Sequence, residues 1–218
     1  MAKQERPLSS EAPSRAAYHS PLRARQTAQT RSVILDAAVK LFGENGWAGT
    51  TLAAVAKEAG TAVETLYSTF GSKSALVVAA TDVAILGDDL EATMDERDNF
   101  IAISEGNRTQ RLHTAVHVAT TSYTRSLGVL RALEEAAGSD EAALARMVQY
   151  EDDRHRLITA ALERVLRHTP SVALVDEVWS VASPESLRKL TEERHWTVEQ
   201  YEAWIARMVL AILRHHPR

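Results

Sequence analysis

The stretch Thr50–Leu76, TTLAAVAKEAGTAVETLYSTFGSKSAL, leaves little room for anything but short helices in close succession. Leu52, Val55, Ala56 and Ala59 recur at i, i+3, i+4 and i+7, so one helical face is apolar. Gly60 follows at once, where a helix end needs a residue that tolerates positive φ. Leu66 and Phe70 give the next helix a narrow apolar stripe and Gly71 stops it. Ser72 then stands where its hydroxyl can cap the free N–H groups of a third helix. Two short helices joined by a sharp turn make a helix-turn-helix, the unit whose second helix enters the DNA major groove.

The segment just upstream, TRSVILDAAVKLFGENGW, completes the unit. Ile34, Ala37, Ala38, Leu41 and Phe42 predict a core-facing helix, with Thr30 near its start, Gly43 or Gly46 at its end and Trp47 placed to plug a small three-helix core. On these residues the chain resembles the tetracycline-repressor (TetR) family of bacterial transcription regulators. The resemblance is carried by Thr30-Arg31, Ile34 to Ala38, Leu41-Phe42, Gly46-Trp47, Thr50 to Leu52, Val55-Ala56, Ala59-Gly60, Thr65 to Tyr67, Phe70 and Lys73. It implies an all-α protein with an N-terminal three-helix helix-turn-helix DNA-binding domain over 29–76. A C-terminal helical domain for ligand binding and dimerisation would follow over 77–218.

Three helix starts can offer N–H groups to phosphate: Thr50/Thr51, Thr61/Ala62 and Ser72/Lys73, with the Lys73 ammonium adding a charge. The resemblance places Thr65, Tyr67, Ser68 and Thr69 on the groove side of the recognition helix. The start of that helix departs from the family pattern. A hydroxyl residue, a lysine and a glycine are usual there, and this chain has Ala62, Val63 and Glu64. Glu64 could accept from a cytosine amino group and Val63 could touch a thymine methyl, so the operator sequence stays open.

Charge supports this polarity weakly. The net charge of -4 over 218 residues divides unevenly: residues 1–76 hold nine Lys/Arg against six Asp/Glu, and the acidic excess lies beyond them. Residues 1–28, with Pro7, Pro13 and Pro21 and scattered arginines, read as a disordered arm, of which Arg23 and Arg25 lie nearest the first helix. No cysteine is present, which excludes disulfides and thiolate metal sites. No apolar run suits a membrane span or secretory leader, so a cytoplasmic location is expected.

Helical spacing continues from Leu76 through Val83 to Leu90 and Met94, a helix able to join the DNA-reading unit to the rest. Further helices are expected from Leu112 to near Gly138, over 140–168, over 172–182 and from a capping box at Thr197–Gln200. On the helix at 140–168 a stripe at 144, 148, 151, 155, 158, 162 and 165 is apolar except for Glu151 and His155. Facing His113 and His117, these would form a cavity with Tyr123, Met147, Tyr150 and Trp179 as walls, fit for an effector. The same polar residues could instead simply pair with one another; an i, i+4 histidine pair without a third ligand is a weak metal signal, and no cofactor is called for.

The resemblance implies a homodimer built on the last helices, with Val175, Val178, Leu187, Trp204, Met208 and Ile212 as interface candidates; they could equally complete the monomer's own core. The function expected is a dimeric repressor on a pseudo-palindromic operator in double-stranded DNA, released by a small, largely apolar molecule. An alternative is a regulator of the same fold without a small-molecule effector. A remote one is a helical enzyme using His113, His117, Glu151 and His155, since no nucleophile elbow, phosphate loop or HExxH motif is present.

Overall fold

A computed structural model describes residues 21–89 and 92–216, and among these every regular element is helical. Helix α1 spans Pro21–Gly49 and leaves the helical path at Gly46, whose φ of 67° and ψ of -173° turn the chain toward Trp47. The expected arm thus needs correction over residues 21–28, which belong to α1; residues 1–20 lie outside the described residues. Arg25 to Gln29 are exposed, so no apolar stripe marks this first stretch. Its helix rests on the intrinsic preference of Leu, Arg, Ala and Gln and on a proline at its first position.

Helices α2 (Leu52–Glu58) and α3 (Val63–Phe70) form the helix-turn-helix, joined through Gly60 at φ 65°. Thr51 caps α2 by accepting the Ala54 N–H, and Ser72 caps α4 (Lys73–Leu86) by accepting that of Ala75. Gly87, at φ 98°, ends α4 well before Met94, which lies buried in a separate 3-10 turn, Met94–Glu96; Leu90 and Glu91 lie outside the described residues. The short α5 (Asp98–Ile101) leads to α6 (Arg108–Ala137), opened by an Asn107–Gln110 capping box. Asp140 caps α7 (Glu141–Leu166), and Arg167 ends it in the left-handed region. After α8 (Val172–Val181) come α9 (Pro184–Arg188), entered through Ser183 and a first-turn proline, and α10 (Val198–His215), entered through the expected Thr197–Gln200 capping box.

Two apolar cores result. The first gathers Ile34, Phe42, Val55, Leu66, Leu76, Val77 and Ala80 from α1–α4 and is closed from below by Val129, Ala132, Leu133 and Ala136 of α6. The second joins the first half of α6 (Leu112, Val116, Tyr123) to α7, α8 and α10. The second half of α6 therefore packs with α1–α4 in one core. Where α1 crosses α6, Gly43 and Gly128 bring the two backbones together.

The first half of α7 departs from the expected stripe, whose later members Leu162 and Val165 are buried. Leu144 and Val148 are 51% and 58% exposed, while Ala143, Tyr150, Arg154, Leu162 and Val165 point inward. Two arginines, Arg146 and Arg154, occupy sheltered positions on this inner face with their charges paired, which hides the true face from a hydropathy reading.

Candidate nucleic-acid interface and cavity

The outer side of α3 carries Ala62, Glu64, Tyr67 and Ser68, all exposed, with Thr61, Val63, Thr65 and Thr69 half-buried beside them. Leu66 faces the head core, leaving Tyr67 56% exposed with a free phenol at the surface. The Ser68 and Thr69 hydroxyls both donate to the Thr65 carbonyl, at 2.9 and 2.7 Å, so they meet a partner through their oxygen lone pairs. Thr51 is exposed at the start of α2.

Thr50 needs correction as a contact residue. It is 1% exposed, and its hydroxyl shares its proton between the carbonyls of Leu41 (2.9 Å) and Gly46 (2.8 Å). Thr50 thereby ties the end of the helical path, at Leu41, to the chain reversal at Gly46. Lys73 is half-buried: its ammonium donates to the Trp47 carbonyl at 2.5 Å and lies 4.0 Å from the centre of the indole ring. Burial pushes its pKa down, with the Glu135 carboxylate opposing. Arg31 is paired with Asp89 and lies over the Phe70 ring, and Lys40 is paired with Glu58. Much of the head's positive excess is thus answered locally, leaving Arg25 and Lys57 as exposed cations on described side chains.

Beneath the head, α4, α6, α7 and the segment 93–103 surround a cavity of about 390 Å³. Of the expected lining, Tyr123 and Tyr150 are there and the other residues are not. His113 is exposed, and His117 turns outward to Glu202 at 3.0 Å. His155 meets Asp176 at 2.9 Å, Glu151 bonds Arg154, Met147 packs on the head core and Trp179 lies under the Arg154 guanidinium. On α7 the inner face runs through 146, 150 and 154, one position from 151 and 155, which turns Glu151 and His155 off the cavity wall. Nothing draws His113, His117, Glu151 and His155 together, and among the described residues no group of three His, Asp or Glu side chains could hold a metal ion.

The cavity instead exposes Val78, Ile85 and Leu86 of α4, Val118 and Ala119 of α6, and Leu157 and Ile158 of α7, with Phe100 and Ile103 at one end. Polar groups missed at the sequence level include Asp82, Asp95, Arg146, Asp153, Arg154 and Arg156. For Arg146 and Arg154 the signal was their 146, 150, 154 spacing with Tyr150 on one face of α7. Arg146 holds Asp82 of α4 through Nε at 2.8 Å and Nη2 at 2.6 Å, whereas its buried Nη1 has no partner. Tyr123 donates to the Ala182 carbonyl at 2.9 Å, and Arg154 bridges the carbonyls of Trp179 and Ala182. The buried Tyr150 oxygen has no partner. Desolvation raises the pKa of both phenols, which keeps them protonated and able to donate.

Val175, Val178 and Leu187 are at most 5% exposed within this single chain, so they complete its own core and are withdrawn as interface residues. Trp204, Met208 and Ile212 are half-buried. Among the described residues no single helix is long and apolar enough to cross a membrane.

Residues 34–80 match the family model described as bacterial regulatory proteins, tetR family. No curated protein matches the chain. Among solved structures, a HlyIIR mutant with residues 169–186 replaced by a GSSGSSG linker aligns with 86% of this chain and 95% of its own, at 20% identity and a TM-score of 0.54. A protein described as a transcriptional regulator from Pseudomonas aeruginosa PAO1 aligns with 93% of this chain and 94% of its own, at 17% identity and a TM-score of 0.54. At such identities the likeness is one of fold.

Proposed function

We propose that this chain, which carries the DNA-binding head of the TetR family of transcriptional regulators, works in the cytoplasm as a homodimeric repressor released by a small, largely apolar effector. The observation that carries this reading is the double duty of α4. Leu76, Val77 and Ala80 lie in the head core, while Val78, Asp82, Ile85 and Leu86 line the cavity. A ligand that repacks the cavity wall must therefore act on the same helix that seats the head.

Two recognition helices would engage successive major grooves at half-sites about one helical turn apart, ~34–36 Å. Residues 61–69 would meet base edges and phosphates, with Thr51 and Lys73 flanking them. Half-buried Trp204, Met208 and Ile212 on α10 would contribute to the dimer contact. The effector shifts the population toward an arrangement in which the head spacing no longer fits, which requires tighter binding to that state than to the DNA-bound one. The Asp82–Arg146 pair, tying α4 to α7, is the link through which such a shift would travel.

In vitro selection of duplexes bound by the purified full chain, repeated at several salt concentrations, tests the reading. A pseudo-palindromic consensus bound by two chains is the result expected. Equal affinity for random duplex would remove the proposal. Apolar compounds that then lower operator affinity would support the effector step, and a cavity closed to all of them would oppose it.

A further inference from the structure

We propose that the cavity selects an uncharged ligand with an apolar body and one hydrogen-bond-accepting oxygen, seated against the Tyr150 hydroxyl and the Arg146 guanidinium. The inference rests on the effector-site reading above and narrows its ligand to a chemical class. Tyr150 is 5% exposed, lines the cavity and leaves its phenolic oxygen without a partner; Arg146 lines it with a buried, unpartnered Nη1. A buried donor left unmade is costly, so two of them at one cavity wall are a demand for an acceptor. The two residues are i and i+4 on α7, one turn apart on the same face, so both donors belong to one stretch of the cavity wall.

The charges around this wall argue against an ionic ligand. Arg146 is already neutralised by Asp82 at 2.6 Å, Arg154 by Glu151 at 2.8 Å and Arg156 by Asp153 at 2.7 Å. Asp95 is held by the Thr93 hydroxyl, with Arg156 and Arg164 nearby. A carboxylate or an ammonium brought among these closed pairs would lose its water without gaining a counter-ion. A ketone, ester, lactone or amide oxygen has no such cost, and the volume of about 390 Å³ lies within the range of small-molecule sites.

The test uses the full-length protein and four naphthalenes of one size: acetylnaphthalene, ethylnaphthalene, naphthoate and naphthylmethylammonium. Binding is read by equilibrium dialysis, and operator affinity is followed in parallel. The acetyl compound should bind about three- to tenfold more tightly than the ethyl one, with both ions weaker. Tyr150→Phe should narrow the gap between the acetyl and ethyl compounds, Arg146 remaining as a donor, while ethylnaphthalene still binds, which shows that the variant cavity is intact. Naphthoate binding tightest, an acetyl preference undiminished in Tyr150→Phe, or no binding by any of the four would each overturn the assignment. The expected order without any change in operator affinity would support the ligand class and overturn the effector reading alone.

Discussion

Gly128 of α6 meets Gly43 of α1 backbone to backbone: a Cβ built on Gly128 would stand 2.7 Å from the Gly43 Cα and 2.9 Å from its carbonyl oxygen. A Cβ on Gly43 would meet nothing within 4 Å. The contact is one-sided, and its two glycines should respond oppositely to the same change. Gly128→Ala should cost about 1–3 kcal/mol through a clash that only backbone movement relieves. Gly43→Ala, inside a helix and unobstructed, should stabilise by about 0.5–1 kcal/mol. Denaturant midpoints of the two variants decide this, and similar losses at both positions would contradict the asymmetry.

Three residues at the head separate binding from folding. Tyr67 is exposed, so Tyr67→Phe should weaken operator binding with the melting temperature unchanged. Lys73→Ala removes the donor to the Trp47 carbonyl and should lower both affinity and melting temperature. Thr50→Val strips the Leu41 and Gly46 carbonyls of a buried donor and should cost about 1–3 kcal/mol. Its effect on DNA affinity should vanish once measured at a temperature where the variant is fully folded. If Tyr67→Phe left both affinity and its salt dependence intact, the phenol would not be a contact.

Met208 and Val178 discriminate between interface and core. Met208→Arg on half-buried α10 should yield a folded monomer by sedimentation, with helical content preserved and palindrome binding lost. Val178→Arg, at a position 5% exposed, buries an unpaired charge and should fail to fold. A dimeric Met208→Arg protein would remove this part of α10 from the interface.

Asp140 makes the α4–α7 junction acid-sensitive. The Ser74 hydroxyl donates to Oδ2 at 2.5 Å and the Ala143 N–H to Oδ1 at 3.0 Å, and these bonds hold the carboxyl below its usual range. The unfolded chain takes up this proton more readily, so the stabilisation is complete above the usual carboxylate range. It is lost as pH falls through the lowered value. Asp140→Asn keeps an oxygen to cap α7 but removes the titration. Its melting temperature should therefore fall less steeply with acid than that of the parent, and parallel curves would refute the assignment.

The head was legible because its signals are local: a capping hydroxyl, a turn glycine and an i, i+3, i+4 stripe each act within a few residues. The Thr197–Gln200 capping box was readable for the same reason. The inner face of α7 was not, because Arg154 owes its shelter to Glu151 on its own helix and to carbonyls at Trp179 and Ala182, which only the fold brings near. Hydropathy counted it as surface and promoted Leu144 and Val148 in its place. Nor could apolar spacing tell Val175 and Val178, which face inward, from residues meant for a second chain.

The lower half of α6 supplies the floor of the first core, through Val129, Ala132, Leu133 and Ala136. Cut away at residue 76, the DNA-reading segment would lose most of α4 and the α6 side chains that pack on α1 and α4, and would expose apolar residues of that core to water. Anyone grafting this reader onto a foreign body must carry along the stretch around Val129–Ala136 as well. Thermal melting of the intact protein should accordingly register one transition, with no separate early loss of the reader.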